Sequence, residues 1–250
     1  MTAPLHVLIA GAGIAGLCGA QALLQRGVDV TVFEQAGALP EMGAGVQLSP
    51  NGSRALLALG LGAAMAEVAC VAAAKEVRLG STGQRWPLFN LGEDALARFG
   101  APYWLVHRGD FHQVLLAAVR TLKPDAVRLG QRALRFEQDE HAITLIEDAL
   151  LVARCRTELA DRHGVAPALQ RFEALQRPRA SRIVSGSADN GRRFHNPLLA
   201  DPLAAAACIE REWAPELVRQ RYTWLFEHDV TRLALPDASP HAPAAPTHAA

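Results

Sequence analysis

The chain has no excess charge of either sign: 25 Lys and Arg residues balance 25 Asp and Glu. A neutral chain offers no field to attract nucleic acid or an anionic membrane surface, so neither is expected as a partner. Cysteine is sparse. Cys18, Cys70, Cys155 and Cys208 stand far apart, with no C-x-x-C and no metal-like spacing. That pattern predicts structural thiols in a reducing compartment and no bound metal. No apolar run is long enough to cross a bilayer. The apolar N-terminus, PLHVLIAGAGIAGLCGAQALL, has no Lys or Arg ahead of it and is broken by glycines, unlike a secretory leader. The expected location is cytoplasmic. There is no G-x-S-x-G elbow, no P-loop and no internal repeat.

Half of the 250 residues are hydrophobic, enough to build one large core or two small ones. LHVLIA (residues 5–10) is a short apolar run of the kind buried on both faces of a sheet. IAGLCGAQALLQRG reads as a helix stopped by Gly27, and VDVTVFE as a second, β-branched strand ending at Glu34. The three form a β-α-β unit, which requires parallel strands and a right-handed crossover. GALPEMGAGVQLSPNG (37–52) is expected to be a long loop, followed by one helix over SRALLALGLGAAMAEVA (53–69). KEVRLG, QRWPLFN and PYWLVH are strand candidates, and RGDFHQVLLAAVRTL is an amphipathic helix stopped by Pro124. AVRLG, ALRFEQ and HAITL complete the strands. Beyond them, helices are expected over residues 146–164, 167–187 and 208–229. The Pro/Ala-rich tail, 236–250, reads as disordered, and its His241 and His248 as solvated rather than metal-binding.

One junction is odd. In DEHAITLIEDALLVARC, Asp139 to Cys155, an alternating strand runs into a helical stripe formed by Ile146, Ala149, Leu150 and Ala153. No Gly, Pro, Asn or Ser separates them to turn the chain.

GAGIAG places Gly11, Gly13 and Gly16 in G-x-G-x-x-G spacing, between a strand and a helix. The first glycine permits a tight turn, the second lets a pyrophosphate approach the backbone, and the third lets helix and strand pack closely. The helix N-terminus faces the phosphates with its free N–H groups. Glu34, ending the next strand, is placed to accept ribose hydroxyls and to repel a 2′-phosphate. The fold class is therefore α/β, with a Rossmann-like dinucleotide-binding β-α-β domain and a helical C-terminal region.

HVLIAGAGIAGL, VTVFEQA, GAGVQLSPNGSRALLALGL, PYWLVHRGDFHQVLLAAV and IEDALLVARC together resemble the FAD-dependent aromatic-ring monooxygenases of the salicylate hydroxylase and 3-hydroxybenzoate 6-hydroxylase type. ALQRFEALQRPRASRIVSGSADNGRRFHNP and RYTWLFEHDV resemble that family's C-terminal helices. The resemblance implies FAD as cofactor, held through Gly11, Gly13, Ile14, Ala15, Gly16, Glu34, Gln35, Arg108 and Leu129. Arg108 takes the place of the Arg in the family's H-R-x-D segment and is suited to phosphate or flavin oxygens; a surface ion pair with Asp110 is the plainer reading. Gln47 falls where a loop side chain approaches flavin or substrate, or else it bonds its own loop. No catalytic residue is assigned beyond Gln47. NAD(P)H is the implied reductant, and O₂ and a small phenolic or aromatic acid the implied co-reactants.

Other candidates read more plainly. His107 is expected to be a packing or hydrogen-bonding residue, and Arg171, Arg177, Arg179 and Arg182 a solvated helix face.

The resemblance also exposes a departure. Between HAITL and IEDAL the family carries most of its substrate sheet and a second FAD segment, about 100 residues or more, the size of a small domain. The implied organisation is an FAD-binding region with remnant substrate-domain strands over 1–145, a helical region over 146–235 and the tail over 236–250. Losing that segment removes strands from the parallel sheet and leaves its first strand with an unpaired edge. Function is then an FAD-dependent aromatic hydroxylase impaired by the loss, with a non-catalytic FAD/ADP-binding remnant as the alternative. An NAD-binding reductase module is a third reading, which Glu34 permits and the C-terminal helices do not support.

Overall fold

The structure, a computed structural model, describes residues 5–39, 43–133 and 165–233. In chain order the first half contains β1 (His6–Ala10), α1 (Ile14–Leu24), β2 (Asp29–Phe33), β3 (Gly45–Leu48), α2 (Pro50–Ala58), α3 (Gly62–Val68) and β4 (Ala69–Val71). There follow β5 (Ala74–Arg78), β6 (Arg85–Asn90), α4 (Glu93–Phe99), β7 (Trp104–His107), α5 (Arg108–Leu122) and β8 (Val127–Arg128). The described C-terminal helices are α6 (Val165–Phe194), α7 (Pro202–Glu212) and α8 (Pro215–Phe226), with a 3₁₀ turn over Pro197–Ala200.

β1, β2 and β8 form a parallel sheet in that spatial order, with Val7 opposite Val30 and Val32 opposite Val127. Strands that bury both faces are built from branched apolar residues, and Val30 and Val32 are fully buried. α1 packs between this sheet and α5, bringing Leu17 and Ala20 against the core that holds Leu115 and Val119. Each of the Leu and Val side chains contributes about 1.5–3 kcal/mol of burial free energy, enough for this layer to hold its shape. Among the described residues β1 pairs only with β2, so it lies at the sheet edge with Leu8 53% exposed.

A second, antiparallel sheet runs β3-β7-β4, and β5 and β6 form a hairpin beside it. The C-terminal helices close over that hairpin. Leu88 packs with Ile209, Trp213 and Val218, while Phe226 meets Tyr103 and Phe99 edge-on at 5.9 and 5.5 Å. Edge-to-face pairs of this kind add about 0.5–1.5 kcal/mol each beyond their buried area. Arg54 ties the two halves together. Its Nη1 donates to the His228 carbonyl at 2.7 Å, its Nη2 donates to the Phe99 carbonyl, and its Nε lies 3.7 Å from Asp229.

The structure revises four expectations. The stretch 37–52 is not all loop: it holds β3, recruited by cross-strand pairing with β7, and the start of α2. The helix expected over 53–69 is two helices, because Gly60 adopts φ +73°, a left-handed turn that ends α2. The helix expected over 208–229 is likewise divided, at Trp213 and Ala214, where Pro215 opens α8 and cannot continue α7. Arg171 is buried and not part of a solvated face, although Arg177 and Arg182 are exposed. The strands ALRFEQ and HAITL, the helix over 146–164, the Leu145–Ile146 junction and the tail 236–250 lie outside the described residues.

Candidate dinucleotide site

The site forms at the carboxyl end of the parallel sheet, where ligands of open α/β sheets bind. Gly11 leaves β1 at φ +97° and its N–H donates to the Phe33 carbonyl at 2.7 Å, tying the glycine loop to the end of β2. Gly16 has no room for a side chain: a Cβ there would stand 2.1 Å from the Gly11 carbonyl oxygen. A Cβ on Gly13 would meet nothing within 4 Å, and Gly13 and Ala15 are exposed, so the outer side of the turn is open to a ligand. Gly13 is the N-cap of α1 and supplies no side-chain cap. The first-turn N–H groups around Ile14 and Ala15 therefore face outward without a partner from a cap, as a pyrophosphate requires.

Glu34 stands beside this loop. One carboxylate oxygen accepts the Ala36 N–H at 2.9 Å and the other accepts the Ala12 N–H at 2.8 Å. These bonds, Ala36 first and Ala12 next, hold its carboxyl below the ordinary carboxylate value. Each oxygen keeps a second lone pair, which is what a ribose diol needs. Leu129 is set alongside by three backbone bonds. The Arg128 carbonyl accepts from Glu34 N–H at 2.9 Å, Gly130 N–H donates to the Ala36 carbonyl at 2.9 Å, and Gln131 N–H donates to the Glu34 carbonyl at 2.8 Å. Gln35 is exposed on the same strand end. The glycine loop, Glu34, Gln35 and Leu129 thus converge.

His112, on α5, also belongs here. Its Nε2 lies 2.6 Å from the Ala12 carbonyl oxygen, so the Ala12 residue is held by Glu34 at its N–H and by His112 at its C=O. No local pattern marks this residue; only the α1–α5 packing brings it to the loop.

Arg108 opens α5 one helical turn before His112, and so lies on the same side of that helix. Its N–H donates to the Ala44 carbonyl at 3.2 Å, and its stem runs against Gly43, where a Cβ would approach Arg108 Cβ to 2.6 Å. The ion pair with Asp110 does not form: Asp110 lies 4.0 Å from His107 Nδ1, and Arg108 has no ionic partner among the described residues. Gln47 belongs to the other sheet, β3-β7-β4. It sits on β3 opposite Leu105 and accepts the Tyr103 hydroxyl at 2.8 Å, not a bond from its own loop. Among the described residues no cluster of His, Cys, Asp and Glu could hold a metal ion, and no helix is long and apolar enough to cross a membrane.

A glycine turn, an open helix N-terminus and an acidic strand end on a parallel β-α-β sheet define the class, a dinucleotide-binding α/β protein. The family model described as "FAD binding domain" matches residues 4–148, and the chain belongs to that family. 3-Amino-4-hydroxybenzoate 2-monooxygenase of Streptomyces cremeus is 41% identical over 141 residues, covering 56% of this chain and 35% of that protein. 3-Hydroxybenzoate 6-hydroxylase of Polaromonas naphthalenivorans (strain CJ2) is 39% identical over 145 residues, covering 58% and 36%. A solved structure of Klebsiella pneumoniae HpxO complexed with FAD and uric acid aligns over 55% of this chain and 33% of that one. Its identity is 27% and its TM-score 0.45. The chain spans about a third of the length of the curated relatives it matches. The family match ends at residue 148, ahead of α6, α7 and α8.

Proposed function

We propose that the chain holds the adenosine diphosphate end of FAD at the glycine loop and descends from FAD-dependent aromatic hydroxylases, with its own hydroxylation activity lost or nearly so. One observation carries the binding half of this reading: an open glycine turn whose Ala12 N–H is fastened to the Glu34 carboxylate at the end of the parallel sheet. The relatives' names supply the chemical class, oxygenation of hydroxybenzoate-type rings.

When bound, FAD would supply the redox chemistry that passes electrons from NAD(P)H to O₂. Gly11, Gly13, Ile14, Ala15 and Gly16 would take the pyrophosphate, Glu34 and Gln35 the ribose, and Leu129 the adenine side. Arg108 would add a charge-assisted donor to phosphate or flavin oxygens. His112 holds the loop carbonyl, and so keeps the turn in its binding shape.

The loss of activity rests on what hydroxylation demands. A reduced flavin must be closed off from water above an oriented ring, or its reducing power is wasted on O₂. By resemblance, that enclosure comes from the substrate sheet and the second flavin contact from the second FAD segment, and in this chain HAITL runs directly into IEDAL with neither between them. A cytoplasmic location fits the scattered free thiols.

The test is product analysis of 3-hydroxybenzoate incubated with the full chain, FAD, NADH and O₂. The expected result is no hydroxylated product beyond that of FAD alone. Product formed in step with NADH oxidation would overturn the reading.

A further inference from the structure

Away from the dinucleotide site, a cleft of about 480 Å³ opens between α6 and α8. That volume falls within the range of small-molecule sites. Its walls are of two kinds. Leu217, Leu225 and Trp224 form an apolar side, and Arg182, Arg193 and Arg221 a cationic one.

The charge around the cationic wall is not balanced. Arg193 and Arg221 both look to one carboxylate, Glu212, at 3.9 and 3.8 Å, distances too long for hydrogen bonds. The same carboxylate already lies 3.3 Å from Arg211. Asp189, which also lines the cleft, is engaged by Arg192. Four guanidinium groups thus share two carboxylates. Arg193 and Arg221 are only about a fifth exposed, where an unneutralised charge costs more than in water. Burial and the neighbouring Arg193 both pull the pKa of Arg221 down, as expected for a cation short of counter-charge.

The two residues are also held in place. Arg193 Nη1 donates to Asn190 at 3.0 Å, and Arg221 Nη1 donates to the Glu212 carbonyl. Arg182 stacks on the Trp224 ring at 3.9 Å and has no acidic partner among the described residues, so the edge of its guanidinium stays available. A stacked guanidinium presents its donors in the plane that matches a carboxylate.

We propose that this cleft binds a flat organic anion, an aromatic carboxylate, with its charge on the arginines and its ring on the apolar wall. The carboxylate completes the neutralisation that Glu212 leaves unfinished, and the ring covers Leu217 and Leu225. A simple oxyanion would satisfy only the first wall, and a neutral ring only the second. The inference is independent of the dinucleotide site.

The test is calorimetric titration of the full chain with benzoate at low salt, with benzyl alcohol and inorganic phosphate as the neutral and ringless controls. Benzoate is expected to saturate one site per chain and to bind at least about tenfold tighter than either control. Arg221→Gln and Arg182→Gln are each expected to weaken it by about tenfold. Arg177→Gln, exposed on α6 and paired with Glu173, should leave it unchanged. Arg182 is exposed on α6, so its variant keeps the fold even if Arg221→Gln does not. The proposal fails if benzoate does not saturate, if phosphate binds as tightly, or if Arg182→Gln leaves benzoate binding intact.

Discussion

The glycine-loop region and the C-terminal helices use their apolar residues in opposite ways. In the first, Leu17, Val30, Val32, Leu115 and Val119 are all at 0% exposure, packed on one another across α1, the parallel sheet and α5. In the second, every residue of α6 from 180 to 188 is exposed, and Val184 is 69% accessible. The C-terminal helices are held at a few points: the ring cluster around Phe226, the Arg54 clamp and the Leu88–Trp213 contacts. The first region carries its own core. The second depends on the first for its stability.

Substitutions at the points of attachment and in the loop sharpen this contrast. The largest effect is expected from Gly16→Val, which drives two β-carbon branches into the Gly11 carbonyl and costs more than about 4 kcal/mol of stability; thermal unfolding should show the loss of the whole fold. Phe226→Ala removes a side chain that four aromatic rings contact, at about 3 kcal/mol. Here limited proteolysis should cut the C-terminal helices first while residues 5–133 persist. Arg54→Ala acts on the same joint through hydrogen bonds, at about 2 kcal/mol, and should give the same order of cleavage at higher protease.

Within the loop, His112→Leu strands the Ala12 carbonyl, at about 1 kcal/mol, and ADP affinity should fall about fivefold by titration, with His112→Gln restoring most of it. The smallest effect is a pH dependence. The Glu34 carboxyl is held below its ordinary value, so its contribution to stability is present above that value and disappears as the pH falls through the folded-state pKa. Melting temperature should therefore drop more in the native chain than in Glu34→Gln as the pH falls below about 5.

The same contrast decides what was legible in the sequence. Gly11, Gly13, Gly16 and Glu34 declare themselves because a tight turn, a close crossover and an acidic strand end each demand one residue type at one spacing. The β-α-β register follows from branched strands and a small-residue helix, and the structure has both. β4 escapes notice because three residues, Ala69–Val71, become a strand only by pairing with β7. α4 begins after Gly92 within a short polar stretch and carries too few turns to show a period. Gln47 reads as a loop residue for the same reason as β3: a four-residue strand is defined by its partner. His112 and the three-arginine cleft are tertiary features, since residues from separate helices meet only after packing.

Retention of the adenosine half without the flavin half is tested most directly by the ratio of FAD to ADP affinity in the full chain. If only the adenosine diphosphate end is held, the two should bind within about threefold of each other, because the flavin adds little contact. FAD binding more than about 100-fold tighter than ADP would mean that flavin contacts survive, and would contradict the account.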